Sequence, residues 1–349
     1  MIDSSLNNKP LVTVLMPCYN AMPYLPMALN SIINQTYKNL EILCINDGST
    51  DETDEILEEY AKKDSRIRVV HNETNIKLIR TLNKGIELAT GEYIARMDAD
   101  DISSPDRIET QMHILLSRNI DLVGTNIKVT NEKETSLKTS VLRQHSRLAC
   151  FFASLFYVPV HHATIVARKN VFDKFKFKEK DYVIHTEDYE LFSRMLLHEV
   201  NVVNIDNTLY TVRINQQSVS RTYTDEQDNN FLSCVKENIF DVFKKTIDDN
   251  IVQIIANRIS KNISPKNFSK GIKEIKWIKQ QFESIHKFQL NKSDKKEIYV
   301  IYKTHLFDIC IQTIKKTNII VKANALFTLL KHFDMFFNKT VWKYILSKL

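Results

Sequence analysis

The sequence predicts an α/β protein in which a mixed, mostly parallel sheet is flanked by helices and followed by a C-terminal helical region. Three observations predict it. Short β-branched runs alternate with amphipathic stretches through the first 230 residues, the rhythm of βαβ units that lays helices over a parallel sheet. The first run is apolar throughout, as a strand covered on both faces is. Beyond residue 230 the rhythm stops, and Ile, Phe, Lys and Asn recur at helical spacing instead. The expected division is therefore 1–230 and 231–349.

Leu11–Met16 is the first expected strand. A helix follows over Pro23–Gln35, because proline suits a helix start and Leu25, Ala28, Leu29, Ile32 and Ile33 recur at helical spacing. Leu40–Ile45 is the second strand. It ends in Asn46-Asp47-Gly48-Ser49-Thr50-Asp51, a turn with an N-cap residue ahead of helix Glu52–Lys63, whose acidic first turn suits the helix dipole. Ile67–Val70, Leu78–Ala89 and Glu92–Met97 continue as strand, helix and strand, with Asp98-Ala99-Asp100-Asp101 immediately beyond. In open α/β sheets ligands sit past the carboxyl ends of the strands, so Asp47 and these acids fall where a ligand would. A helix over Pro105–Arg118 and a strand over Ile120–Val129 come next. Leu148–Val160 reads as a buried helix and strand, and Thr164–Ala167, Val200–Ile205 and Thr208–Ile214 as short strands around helix Glu187–Leu197. In the last third, Ile272–Phe282, Ile298–Lys316 and Leu326–Leu349 carry the helical spacing.

With 349 residues, 43% hydrophobic and 26% charged, the chain buries a sizeable core, which excludes a disordered chain and a single small module. Five Gly and seven Pro exclude a collagenous or low-complexity chain. Cys18, Cys44, Cys150, Cys234 and Cys310 are odd in number, widely spaced and without a CxxC pair. That argues against a disulfide framework or zinc site and for a reducing compartment. The opening MIDSSLNNKP lacks the layout of a signal peptide, and no apolar run approaches the about 20 residues of a spanning helix. The expected location is the cytoplasm, or the inner face of the cell membrane if the basic region binds there.

The charge is uneven. Residues 1–230 hold 26 Lys and Arg against 32 Asp and Glu, a net −6; residues 231–349 hold 22 against 10, a net +12. An acidic half suits a metal or a catalytic carboxylate cluster, and a basic half an anionic surface. Phe333, Phe336, Phe337, Trp342, Tyr344 and Ile345 with Lys339, Lys343 and Lys348 read either as a basic amphipathic membrane face or as part of an ordinary Lys-rich bundle. No nucleic-acid motif accompanies the charge, so nucleic acid is not an expected partner.

Carboxylates grouped at the end of a buried strand raise one another's pKa, and a divalent cation relieves them. Asp98 and Asp100 are two apart and project to one side of an extended chain, with Asp101 placed to cap the next helix. Hard oxygen ligands of this kind suit Mn²⁺ or Mg²⁺. Read alone, the same four residues are equally an acidic turn with an N-cap. GxGxxG and GxxxxGK motifs are absent, which argues against a Rossmann dehydrogenase or a P-loop NTPase.

Several motifs occur together in a familiar order: Pro17-Cys18-Tyr19-Asn20, Asn46 to Asp51, Asn83-Lys84-Gly85-Ile86, Gly91 to Asp101, Glu187-Asp188-Tyr189, and Arg213 with Ser218 and Ser220. Over about residues 10–222 the sequence resembles the inverting family 2 glycosyltransferases of the GT-A fold. The resemblance implies a GT-A-like domain and transfer of a sugar from a nucleotide-sugar donor, UDP-linked by expectation, to a hydroxyl of a glycan or lipid-linked oligosaccharide. It implies that Pro17, Tyr19, Asn20 and Asp47 line the nucleotide pocket, that Asp98 lies near the ribose, and that Asp100 holds the cation against the diphosphate. Asp188 matches the general base, and Arg96 steadies the acids or the phosphates. Arg213 faces the diphosphate or forms a surface ion pair.

His161 and His162 after Pro159 read more readily as packed histidines than as ligands, and His185 as incidental. Two residues depart from the family pattern. Asn215 stands where many relatives carry a histidine, and Lys77 where they carry a glycine. Two other classes compete with the enzyme reading. A nucleotidyltransferase needs a Gly-rich N-terminal loop that Pro17 to Asn20 does not provide, and a silent scaffold does not need Asp98, Asp100 and Asp188.

Overall fold

The structure is a computed structural model that describes residues 9–132, 135–142, 145–214 and 224–346. Asn215, Ser218, Ser220 and Lys348 lie outside the described residues. The chain forms two compact units, Met1–Arg147 with Pro159–Tyr223 and Leu148–Val158 with Thr224–Leu349.

In the first unit, β1 (Val12–Cys18), β2 (Leu40–Asn46), β3 (Ile67–His71) and β4 (Tyr93–Arg96) pair in parallel in the order β3-β2-β1-β4. Beyond β4 the order continues through β8 (Val166–Arg168), β6 (Leu122–Asn131) and β9 (Val202–Ile214) to β5 (Ile102–Ser103). β7 (Ser136–Ser140) pairs with β6 off this path. β8 is antiparallel to both its neighbours, whereas β6 and β9 are parallel. The sheet is thus mixed. β1 and β2 are buried nearly throughout, as their largely apolar sequences lead one to expect, while the outer strand β3 is buried only at Ile67.

Helices cover the sheet where the apolar spacing places them. α1 (Leu25–Ile33) buries Leu25, Ala28, Leu29 and Ile32, and α2 (Thr53–Lys63) buries Thr53 and Leu57. α3 (Leu78–Leu88) lies against β1 so closely that a Cβ on Gly85 would come within 2.2 Å of Leu15 Cδ1. α4 (Arg107–Arg118) buries Ile108, Met112 and Leu115, and α7 (Glu187–Leu197) buries Leu191, Phe192, Met195 and Leu196. The short α6 (Lys169–Lys174) lies between β8 and α7 in the chain.

Four expectations change. β9 is one strand where two were expected, with its register against β6 shifting near Asn126. β5 and β7 are additional short strands. Leu148–Val160 gives a helix, α5 (Arg147–Ser154), and no strand. Asp101 does not cap α4, because β5 intervenes and pairs with β9; its Oδ1 instead accepts the main-chain N–H of Arg213 at 2.9 Å.

The second unit is helical: α8 (Thr224–Phe243), α9 (Asp249–Ile255), α10 (Pro265–Ile285), α11 (Lys292–Lys316), α12 (Ile319–Lys331) and α13 (Lys339–Leu346). Side chains of Asp248, Ser264, Asn291 and Asn318 cap four of these helices, with Asn291 and Asp294 forming a capping box. Phe151, Phe152 and Phe282 form an aromatic cluster with ring centroids 5.2–5.4 Å apart. Among the described residues no helix is long and apolar enough to cross a membrane.

Candidate active site

The pairing of β1 with β4 sets Leu15 opposite Arg96, so β4 ends short of the carboxyl edge that Cys18, Asn46 and His71 share. Met97 and Asp98 then carry the chain up towards that edge, and residues 99–100 turn instead of continuing extended. Arg96 is 5% exposed and its Nη1 pairs with the Asp98 carboxylate. Burial works against its charge, but Asp98 more than offsets this and the pKa is raised.

Beneath the acids lies a polar layer. The Asp98 N–H donates to the Tyr210 hydroxyl at 3.0 Å. Tyr210 is fully buried on β9, and burial together with Asp101 and Asp98 lifts its pKa well above the ordinary value. The Arg107 guanidinium stacks on the Tyr210 ring at 5.2 Å, donates from Nε to Ser103 Oγ at 2.7 Å and from Nη1 to the Arg96 carbonyl at 3.2 Å. Burial pushes its pKa down to about 10. Asp100 is raised to about 6 by burial and by Asp98, with Arg96 and Arg213 acting the other way. Burial first, then Asp98 and Asp100, raise Asp101 well above the carboxylate range.

The second acid pair opens α7, where the helix dipole favours anions. Asp188 Oδ1 accepts the Tyr189 N–H at 2.7 Å; burial raises its pKa, while that bond and the charge of Arg96 oppose the rise. Glu187 is raised to about 7 by burial and by Asp188; Arg96 opposes the rise, and Asp98 adds to it. Arg96 therefore lies within electrostatic reach of the acids after β4 and of the acids opening α7. The fold brings together two groups that are far apart in the chain.

Alongside them is the loop after β2. Asp47 is 4% exposed; its Oδ1 accepts from Asn72 Nδ2 at 2.7 Å and the Ile76 N–H at 2.9 Å, and its Oδ2 from the Lys77 N–H at 3.0 Å. Lys84 Nζ donates to Asn72 Oδ1 at 2.6 Å, extending the chain of bonds into α3. Asn20, at φ +47°, accepts from the Thr50 N–H at 2.8 Å through Oδ1 and donates its own N–H to Ser49 Oγ at 3.1 Å. Pro17 sits in β1 opposite Ile45, and Tyr19 is 49% exposed above it. Lys77 adopts φ +74° and ψ 158°, a region that glycine favours, so the backbone keeps the glycine-like conformation although the side chain is present.

Arg213 is buried, not at the surface; its guanidinium lies 4.7 Å from the Tyr24 ring centroid and its Nη2 is 3.0 Å from Met27 Sδ. His162 packs beside Phe177 and Phe192, and burial followed by the charge of Arg96 lowers its pKa well below the ordinary value. His161 is lowered to about 4, mainly by burial. His185 holds φ +64° just before the acid pair. Asn83 makes a two-point clasp with Phe177, donating from Nδ2 to its carbonyl at 3.0 Å and accepting its N–H at Oδ1 at 3.0 Å.

Sequence reasoning missed Tyr210, Arg107, Asn72 and Tyr24. Arg107 left a signal: it stands in the first turn of α4, where the dipole disfavours a cation and an isolated helix would not place one. Among the described residues no three His, Cys, Asp or Glu side chains are placed to hold a metal ion on their own.

The family described as "Glycosyl transferase family 2" matches residues 13–199. An "Uncharacterized glycosyltransferase" of Haemophilus influenzae is 33% identical over 335 residues, 92% of this chain and 100% of its own length. The "Putative glycosyltransferase EpsE" of Bacillus subtilis is 32% identical over 234 residues, 65% of this chain and 82% of its own. Among solved structures, S. aureus TarS 1–349 in complex with UDP-GlcNAc superposes with a TM-score of 0.55 at 15% identity, covering 91% of this chain and 88% of that one. The mannosyltransferase PcManGT from Pyrobaculum calidifontis, in complex with GDP-Man and Mn²⁺, gives 0.54 at 14%, covering 88% and 87%. At these identities the two structures establish a shared fold.

Proposed function

The chain belongs to glycosyl transferase family 2, is a glycosyltransferase and has the GT-A fold, and from that premise we propose that it moves a sugar from a nucleotide-sugar donor to a hydroxyl acceptor with inversion at the anomeric carbon. The observation that supports this reading is the position of Arg96, whose charge reaches both acid groups and so keeps a donor-side and an acceptor-side carboxylate around one centre.

In this reading Pro17, Tyr19 and Asn20 line the nucleotide pocket, and Asp47 shapes its floor through the loop it ties. Asp98 meets the ribose, and Arg96 and Arg213 steady the diphosphate. Asp100, with a pKa raised by burial and by Asp98, fits a site for Mn²⁺ or Mg²⁺. Asp100 would hold such an ion, which when bound would offset the charge of the departing diphosphate. The Asp188 carboxylate takes the proton from the attacking hydroxyl, and its raised pKa brings it nearer the working pH of a general base. The donor is taken as a UDP-sugar, in line with the UDP-GlcNAc bound by the TarS neighbour. The acceptor is a glycan or lipid-linked oligosaccharide of surface polysaccharide synthesis, reached at the cytoplasmic face of the membrane through the basic C-terminal region.

The test is Asp188→Asn. Transfer from the wild type's best nucleotide sugar is expected to fall by about 10²–10⁴-fold while nucleotide binding survives. An unchanged turnover removes Asp188 as the base.

A further inference from the structure

α12 is inverted relative to a helix that closes a bundle. Its buried positions are Val321 and Ala325, two small side chains. Ile319, Ile320, Leu326, Phe327 and Leu330 are 81, 64, 52, 57 and 67% exposed. Positions 319, 323, 326 and 330, with 320 and 327 beside them, fall on one helical face, so these side chains form a single apolar stripe. Contiguous exposed apolar surface of this kind marks an interaction site.

The surrounding charge identifies the partner. From Ile309 to Leu349 the chain carries seven lysines and one acid, Asp334. Asp334 is already engaged, accepting from Lys303 Nζ and from the Tyr299 hydroxyl, each at 2.7 Å. Lys315 and Lys316 end α11, and Lys322 and Lys331 lie on α12 itself. α13 turns Lys339, Trp342, Lys343 and Leu346 outward while Val341 and Ile345 are buried, so Ile345 leaves the amphipathic face expected of it. Asp308, just before this stretch, accepts from the Tyr344 hydroxyl, so it too is engaged; a second copy docked face to face would bring mainly lysines against lysines.

We propose that the outer face of α12 docks on an anionic phospholipid surface, the apolar stripe entering the boundary with the acyl chains and the lysines meeting the headgroups. The inference deepens the reading of the C-terminal region as the membrane-side part of the enzyme, and rests on it.

The experiment is flotation of the full chain with vesicles of equal parts phosphatidylglycerol and phosphatidylcholine, and with phosphatidylcholine alone. The wild type is expected to float with the anionic vesicles only, and less so as salt is added. Phe327→Asp combined with Leu330→Asp is expected to reduce partitioning about tenfold or more, with the melting temperature and the release of UDP or GDP from a panel of nucleotide sugars in solution unchanged. Three results would overturn the proposal: no flotation of the wild type, equal flotation of the variant, or a wild-type dimer that the variant splits into monomers. Nucleotide release keeps the two readings apart, because flotation without release removes the proposed donor chemistry and leaves docking standing, whereas release without flotation does the reverse.

Discussion

The carboxylate of Asp47 holds Lys77 by its backbone: Oδ2 accepts the Lys77 N–H at 3.0 Å, at a residue with φ +74° and ψ 158°. A side chain in that region costs on the order of 1–3 kcal/mol. Lys77→Gly removes this strain and restores about 0.5–1 kcal/mol of unfolded-state freedom that opposes the gain. The variant is expected to unfold at a higher denaturant midpoint than wild type, with a net gain of about 1 kcal/mol. A lower midpoint would show that the Lys77 side chain repays its backbone cost through contacts.

Tyr210→Phe tests the layer beneath the acids. The change keeps the ring under Arg107 and removes the oxygen that accepts the Asp98 N–H at 3.0 Å. Leaving that donor unpaired is expected to cost about 1–3 kcal/mol of stability. If Asp98 meets the donor, nucleotide affinity falls with it, which calorimetry reads directly; an unaltered affinity would confine Tyr210 to stability alone.

Asp100→Ala separates cation binding from folding. Titration of UDP with and without Mn²⁺ is expected to lose its metal-dependent part. In metal-free buffer at neutral pH the same variant is expected to melt higher than wild type, because it removes a carboxylate whose charge is disfavoured first by burial and then by Asp98. Undiminished Mn²⁺ dependence excludes Asp100 as the ligand.

The sign of the pH dependence follows from Glu187, raised to about 7. A raised carboxyl pKa means that the folded chain binds a proton more tightly than the unfolded one. Its stabilisation is full below the unfolded value near 4 and is lost as pH rises through about 7. His161 and His305, lowered to about 4, act in the opposite sense, but only below their unfolded value, ordinarily 6.5. The measurement is the melting temperature of metal-free wild type minus that of Glu187→Gln. That difference is expected to decline between about pH 5 and about pH 8; a rise across the same interval would reverse the assignment.

Much of this was legible in the sequence because short-range rules fixed it. β1, β2 and β4 are apolar runs closed by turn residues, and Asp47 and Asp98 lie just past their ends, as the parallel register requires. The approach of Glu187 to Asp98 was not legible from periodicity, since it depends on how the sheet folds round; only the resemblance linked the two motifs. Arg107 and Tyr210 were missed for a different reason. An arginine in a first turn and a tyrosine in a strand both read as half-exposed residues, and only the packing of α4 on the sheet, chiefly on β6 and β8, buries them against each other. Asp101 was misread as a cap because two residues of β5 are too short to show a strand pattern.

The clasp between Asn83 and Phe177 also governs how the cleft can move. It rivets the helix on the nucleotide side to the stretch leading into the acid-bearing helix at two points, so those walls travel as a single jaw.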